Sequence, residues 1–353
     1  MKAMRRVFAI AMAGTLGLTV AACGGSEGSG GDDDFSVGFA LKVQDAPYFV
    51  SLAEAVKKDS TDYGWDTTVL DAGGDVQQQS ANMDTFIAQG KDLIFVDAID
   101  PTSIAPKINA AAEAGIPVIA LDSGVAEDAK TVTTVYSDNK ENGRLVGKAY
   151  AAQMGDKDIR SVMISGAKGN VAGRERRTGL FAGILQGKLD IEKDKAWDLA
   201  KTMDEQLTSS GRASNEDAGF YVLGQGFGNW TENGGLAAAE DLITANPNIT
   251  TVLGENDSML FGAVTALSNA GLTKKVDLVA GADGAKQAMD MIRDGDYFAT
   301  GLNSPKLVAK KGTEIAHEIL AEGADPDSYD RVTLTKPVAV TADNVDKYYD
   351  LGF

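Results

Sequence analysis

The stretch Ile249–Gly271, ITTVLGENDSMLFGAVTALSNAG, indicates the fold class of this chain. An apolar, β-branched run ends at Gly254, the polar junction 255–257 follows, and apolar residues then recur at helical spacing. We therefore predict a strand, a junction and a helix. Ligands of open parallel sheets bind at the carboxyl ends of strands, so we expect Asn256 to contact a small ligand. For Asp257, capping of the helix and ligand contact are equally favoured.

The rest of the chain repeats this pattern. From Phe35 onward, short apolar runs alternate with amphipathic helices, which is typical of a parallel sheet covered on both faces. The pattern occurs twice, and the fourth strand of each half delivers an acid followed by small residues, at Asp122 and at Asp283. We predict an α/β fold of two Rossmann-like lobes, each a parallel sheet flanked by helices. Further segments after Asn303 indicate that the chain crosses between the lobes again, which forms a hinge beside a ligand cleft.

Composition excludes several classes of function. The chain has 353 residues and a net charge of −18, which disfavours a nucleic-acid partner and favours a neutral ligand over an anionic one. One Cys and one His, His317, argue against a zinc site, a Ser-His-Asp or Cys-His catalytic unit and a disulfide framework. We predict no metal, no cofactor and no catalytic residue.

The amino-terminal segment indicates export. Residues 1–22 combine a cationic start with a short apolar run and small residues before Cys23, which predicts a signal peptide. The run LTVAAC (18–23) resembles a bacterial lipobox, in which the cysteine is acylated after cleavage. Lipidation of Cys23 is favoured over a nucleophilic role, and residues 23–34 are expected to form a flexible, acidic tether to a membrane.

Residues at predicted strand ends supply a mixture suited to a sugar. Aromatic rings pack on the C–H faces of a sugar, while Asp, Asn and Arg pair with its hydroxyls. Burial statistics alone favour a core role for Phe49, and a solvated cationic face is the interpretation for Arg174 and Arg177. The residues expected at the cleft are Tyr48, Phe49, Asp122, Ser123, Arg176, Trp230, Asn256, Asp283 and Asn303.

From about Phe35 to its end, the chain resembles the bacterial solute-binding proteins that feed sugar importers of the ATP-binding-cassette (ABC) type, in the ribose, galactose and arabinose group. Six stretches carry this resemblance: DAPYFVSL (45–52), GIPVIALDS (115–123), SDN (137–139), RERRTG (174–179), ENDSMLFGAVTAL (255–267) and GADG (281–284). It implies the type I periplasmic binding protein fold, and it carries ligand contacts over to Tyr48, Phe49, Asp122, Arg176, Trp230, Asn256, Asp283 and Asn303.

The same resemblance implies hinge crossings near Ser137, Asn303 and Lys336. We accordingly expect an N-terminal lobe of residues 35–137 plus 304–336 and a C-terminal lobe of residues 138–303 plus 337–353.

This sequence also departs from the ribose-binding pattern, which has Arg where this chain has Ser123 and Asn where it has Ala46. Lys42 and Asp45 are instead similar to the arabinose-binding branch. Lys42, Asp45 and Asn139 are further candidate ligand contacts, and an insertion around residues 189–219 lengthens the second lobe. The predicted ligand is a pentose, a hexose or a sugar alcohol.

These observations predict a monomeric, lipid-anchored receptor that closes on one neutral monosaccharide or polyol and delivers it to the permease of an ABC importer. An exported, glycosidase-like enzyme that uses Asp122 and Asp283 is one alternative. A sugar-sensing receptor that is not coupled to transport is another. A ligand-responsive transcription regulator is disfavoured, because residues 1–34 hold an export signal and tether in place of a DNA-binding helix pair.

Overall fold

The computed structural model describes residues 35–353. The strands are β1 Ser36–Leu41, β2 Asp66–Asp71, β3 Leu93–Val96, β4 Val118–Leu121, β5 Thr133–Ser137, β6 Ile159–Ser165, β7 Ala213–Asn215, β8 Phe220–Phe227, β9 Thr251–Gly254, β10 Asp277–Asp283, β11 Ala299–Leu302, β12 Val332–Thr335 and β13 Ala339–Thr341. The helices are α1 Pro47–Asp62, α2 Val76–Gln89, α3 Pro101–Glu113, α4 Asn139–Met154, α5 Val171–Leu189, α6 Lys193–Ser210, α7 Glu232–Ala245, α8 Asp257–Asn269, α9 Lys286–Asp294, α10 Pro305–Leu320 and α11 Val345–Tyr348.

The strands form two sheets, which confirms the predicted α/β fold of two lobes. The first sheet is parallel throughout, in the order β12-β5-β4-β3-β1-β2. The second has the order β13-β11-β10-β9-β6-β8-β7, and its strands are parallel except β13 and β7. Apart from the extra edge strand β7, the two orders correspond. The residues after β3 and β9, and those at the carboxyl ends of β4 and β10, therefore occupy equivalent places in the two lobes.

Apolar side chains on both faces of each sheet form the core. On one face of the first sheet, Phe39 and Leu41 pack with Leu52 of α1 and Val308 of α10, and on the other Ala40 packs with helices α2 and α3. The second sheet is covered in the same way. Among residues 35–353, no helix combines the length and apolar character that crossing a membrane requires.

The chain passes between the two sheets three times. It leaves the first sheet between β5 and α4, returns between β11 and α10, and crosses again between β12 and β13. These passages fall at Asp138, at residues 303–304 and at residues 336–338. The exact lobe boundaries stay predictions, but three neighbouring passages are the arrangement that a hinge between two lobes requires.

Three helices of the second lobe were not predicted from the sequence: α4, α6 and the short α11. Helix α4 packs against α5 through glycines, and a Cβ placed on Gly147 would lie 2.2 Å from the Leu180 carbonyl oxygen. Because glycines take the place of apolar side chains at this contact, the sequence of α4 shows only a weak periodic pattern of apolar residues. Helix α6 occupies the predicted insertion and packs on α5, while β7 adds an antiparallel edge strand.

Candidate ligand-binding cleft

The carboxyl ends of the two sheets border a cavity made of two adjoining compartments. The compartments have volumes of about 350 and 720 Å³. Residues from both lobes line each of them, which is the expected arrangement for a ligand held between lobes. Five residues line both compartments and mark the centre of the cleft: Phe49, Asp122, Arg176, Trp230 and Asn303.

On the first lobe, a lysine directly after β1 is held among polar groups that follow β3 and β4. The Nζ atom of Lys42 lies 3.2 Å from Oδ1 of Asp97 and 3.3 Å from Oδ2 of Asp122. It also donates to Oγ of Ser123 at 2.8 Å and lies 4.3 Å from the centre of the Phe49 ring. Lys42 therefore places a cation beside Ser123, the residue that follows Asp122.

The charges in this cluster follow from burial and pairing. Burial disfavours the ammonium of Lys42, but the Asp97 and Asp122 carboxylates outweigh this effect and raise the pKa of Lys42. Asp97 is completely buried, and neither of its oxygens has a partner that meets hydrogen-bond geometry, although Lys42 lies within ion-pair distance. Burial therefore raises the pKa of Asp97 to about 7, against the opposing charge of Lys42.

On the second lobe, Arg176 of α5 pairs with the Asp at the end of β10. Its Nη1 donates to Oδ1 of Asp283 at 2.9 Å and to the Glu255 carbonyl oxygen at 3.3 Å, and its Nε donates to Oδ1 of Asn139 at 2.9 Å. Burial raises the pKa of Asp283 to about 6, against the charge of Arg176. Arg176 is thus fixed from three sides while it still borders both compartments.

Aromatic rings from both lobes border the cleft. Tyr48 and Phe49 meet edge to face, and the Tyr48 hydroxyl donates to Oδ1 of Asn303 at 3.3 Å. Trp230 has a left-handed backbone with φ of 66° and its ring lies 5.7 Å from the Arg176 guanidinium. The ring rests on Gly166, where a Cβ would come within 2.1 Å of it. A side chain at residue 166 would therefore displace the Trp230 ring.

The junction quoted at the start differs from the expectation in part. Asn256 caps α8 by accepting from the Met259 amide at 3.1 Å, and it also lines the smaller compartment. Asp257 neither caps α8 nor reaches the cleft, so both roles considered for it are wrong. Its buried carboxylate accepts from the backbone amides of Gly284 and Ala285 and from the Tyr297 hydroxyl, which fixes the turn after β10.

All nine residues expected at the cleft line at least one compartment, and their roles as ligand contacts stay predictions. Of the three further candidates, Lys42 and Asn139 line the larger compartment, whereas Asp45 is exposed and lines neither. Asp97 was not predicted from the sequence, although it directly follows the buried strand β3. Asn256 was predicted from a similar position, two residues after β9. Asp97 itself lines neither compartment, whereas the smaller one is lined by seven residues that were not predicted as contacts: Ala46, Pro47, Ser258, Phe261, Ala285, Gln287 and Phe353.

The interpretation of Arg177 as a solvated cation is wrong, whereas Arg174 is exposed as expected. Arg177 is buried between Asp204 of α6 and Glu255. Its partners lie 27 and 78 residues away along the chain, so no local pattern indicates its burial.

Paired charges, amides and rings facing one cavity can hold a small, uncharged, polyhydroxy molecule without reacting with it. Two lobes joined by three crossings, with this cavity between them, define the class as a two-lobed α/β binding protein that closes about a hinge.

Comparison with known proteins identifies the family. The model of the periplasmic binding protein domain family matches residues 37–325. The chain is 29% identical over 292 residues to the ribose import binding protein of Bacillus subtilis (strain 168), covering 83% of this chain and 84% of that protein. It is 26% identical to the xylitol-binding protein of Mycolicibacterium smegmatis, covering 97% of this chain and 87% of that protein.

A solved structure agrees with these relatives. The ABC transporter periplasmic solute-binding protein from Actinobacillus succinogenes 130z, with bound D-allose, has a TM-score of 0.72 and 25% identity, covering 89% of this chain and 100% of that chain. The chain described here belongs to the periplasmic binding protein domain family, which consists of substrate-binding proteins.

Proposed function

We propose that this protein is the extracytoplasmic receptor of an ABC importer and binds one neutral monosaccharide or sugar alcohol in its cleft. The observation that carries the proposal is the pairing of Asp122 with Lys42 on one lobe and of Asp283 with Arg176 on the other, around a shared cavity. Each pair offers a carboxylate acceptor beside a cationic donor, which suits a hydroxyl that donates and accepts at once.

The names of the relatives support a polyhydroxy ligand. A ribose import protein and a xylitol-binding protein are among them, and a similar solved structure contains D-allose. The site of this chain has Lys42 and Ser123 together beside Asp122, so its set of donors differs from the ribose-binding pattern. We therefore place the ligand among pentoses, hexoses and polyols.

Binding acts through closure of the two lobes. The first lobe contributes Lys42, Phe49 and Asp122 to the cleft. The second lobe contributes Arg176 and Trp230. A ligand touches both sets only when the lobes approach, so it stabilises the closed form by its differential affinity. The closed, loaded form is what the permease partner recognises in this proposal, and the receptor acts as a monomer.

Membership of this family supports export, and the sequence supports attachment to the outer face of the cell membrane. The predicted signal peptide 1–22 and the lipobox-like run 18–23 lie outside the described residues. We propose acylation of Cys23, since acyl chains supply a membrane anchor. Mass spectrometry of the membrane-bound protein tests this, and an unmodified Cys23 would contradict it.

Calorimetry with a panel of pentoses, hexoses and polyols tests the proposed binding. Asp122→Asn and Asp283→Asn should each abolish binding, because a neutral amide removes a charge-assisted hydrogen bond. Asn also tolerates the left-handed backbone of residue 122, whose φ is 61°. Asp45→Asn is the matched control, since Asp45 is exposed outside the cavity.

Incubation of the protein with pentosides and hexosides, beside the titrations, examines the enzyme alternative, because the free sugars of the panel have no glycosidic bond to hydrolyse. We expect the bound sugar to be recovered unchanged, and a hydrolysed glycoside would favour the glycosidase-like alternative. Binding that survives in both cleft variants would show that the ligand does not use these carboxylates.

A further inference from the structure

A buried chain of charged residues connects the inserted helix α6 to the second-lobe half of the cleft. Arg177 Nε donates to Oδ1 of Asp204 at 2.7 Å, and its Nη1 donates to Oε1 of Glu255 at 2.5 Å. The other oxygen of Glu255 accepts from the Gly166 amide at 2.7 Å. We refer to Asp204, Arg177 and Glu255 as the ion triad.

All three members of the ion triad are buried. Glu255 is 1% exposed, and Arg177 and Asp204 are each 8% exposed. Replacing buried ion pairs with apolar residues of similar volume is often neutral or stabilising, so such a network is weak support for a purely stabilising role. Its geometry instead indicates a role in position, because the guanidinium fork fixes two carboxylates relative to each other.

The ion triad ends on groups that touch the predicted ligand contacts. The Glu255 carbonyl oxygen accepts from Arg176, and Glu255 directly precedes Asn256. Gly166, held by the Glu255 carboxylate, is the surface on which the Trp230 ring rests. A Cβ on Gly173 would lie 2.3 Å from Oε2 of Glu255 and 3.0 Å from the Trp230 ring, so these groups are packed without spare room.

We propose that the ion triad is a positioning device through which α6 sets the place of Trp230 and Arg176 in the cleft. Asp204, Arg177 and Glu255 are positioning residues, since none of them lines either compartment. Helix α6 thereby supports the cleft, although none of its residues lines either compartment. This inference rests on the proposed function for its meaning, but its structural part is tested without any ligand.

Fluorine NMR of protein labelled with 5-fluorotryptophan provides that test. The chain has three tryptophans, with Trp65 in the first lobe, Trp197 on α6 and Trp230 at the cleft. In the ligand-free Asp204→Asn variant, the Trp230 resonance should shift or broaden because the Arg177 fork loses one of its two carboxylates. The Trp65 resonance should stay in place.

Glu141→Gln is the matched control. Glu141 pairs with Arg144, which is as buried as Arg177, and with Lys193 at the start of α6, and neither partner lines the cleft. The Glu141→Gln substitution therefore weakens the attachment of α6 without changing the ion triad. The Trp230 resonance should stay at its native position. Arg177→Lys is a second variant that keeps the charge but loses the fork, and it should shift the Trp230 resonance as well.

Calorimetry with D-ribose and with xylitol adds the functional readout. Asp204→Asn and Arg177→Lys should weaken the binding of whichever compound the native protein binds by on the order of tenfold, as expected when supporting residues leave a site loose. Glu141→Gln should stay within about twofold of the native protein.

Two results would overturn the inference. One is a Trp230 resonance at its native position in both Asp204→Asn and Arg177→Lys. The other is an equal shift in Glu141→Gln, which would show general loosening of the lobe. If the native protein binds neither compound, this ligand choice fails under the proposed function, while the fluorine spectra still decide the inference.

Discussion

Replacing Gly166 by alanine displaces the Trp230 ring of the cleft. The new Cβ would lie 2.1 Å from Trp230 Cε2 and 2.2 Å from Cζ2, whereas ordinary contact begins at 3.4 Å. The Trp230 ring must therefore retreat by about 1.3 Å, the difference between these distances. Because the ring borders both compartments, the change acts directly on the surface that receives the ligand.

The expected loss follows from what an aromatic contact contributes. Apolar area that a sugar buries against the ring contributes about 25 cal/mol per Å², so losing roughly 40–80 Å² of this contact forfeits about 1–2 kcal/mol. We expect binding weaker by about 1–2 kcal/mol, which is roughly 5- to 30-fold in Kd. Overpacking should also lower the free energy of unfolding by about 1–3 kcal/mol.

Isothermal calorimetry with the sugar selected from the panel measures the affinity, and urea unfolding measures the stability. Gly124→Ala is the matched control, since Gly124 lines the same cleft but a Cβ there meets nothing within 4 Å. Native affinity in Gly166→Ala would refute the reasoning, because it would mean that the Trp230 ring does not contact the sugar.

Two further predictions concern stability. Burial raises the pKa of Asp97 from its ordinary value of 3.8 to about 7 in the folded protein. The stability contributed by its protonated form is therefore lost as the pH rises from about 4 to about 7, by up to roughly 4 kcal/mol. Burial of Asp283 acts in the same direction up to about pH 6. In urea unfolding measured across this pH range, the free energy of unfolding should fall less steeply for Asp97→Asn than for the native protein. Equal slopes for the two proteins would contradict the burial argument. Gly147→Ala should lower the free energy of unfolding by about 1–3 kcal/mol or more, because its Cβ would lie 2.2 Å from the Leu180 carbonyl oxygen. An unchanged urea midpoint in Gly147→Ala would show that α4 and α5 can separate without loss.

The alternation of strands and helices was predictable from the sequence because each element carries its own apolar period. The strand from Thr251 and the helix from Asp257 are examples, and the structure has both. Helix α4 escaped prediction because Gly143 and Gly147 replace apolar side chains at its contact with α5. Helix α6 offered a signal at Ala196, Ala200, Met203 and Leu207, whose helical spacing matches its buried face.

The candidate site was predictable where topology alone places a residue. Asp122 directly follows β4 and Asp283 ends the equivalent strand β10, so the fold brings both to the cleft. The roles of Asp257 and Arg177 depend on contacts between distant segments, which periodicity does not report. Asp257 binds the turn at Gly284, and Arg177 binds across α5, α6 and the junction after β9.

The central claim is that a neutral sugar or polyol binds between the lobes and closes them. Small-angle X-ray scattering of the native protein and of Asp283→Asn, each with and without a saturating concentration of the sugar selected by calorimetry, tests this most directly. We expect a smaller radius of gyration for the native protein with sugar and no change for Asp283→Asn. An unchanged radius of gyration for the native protein at saturation would contradict closure as the mechanism.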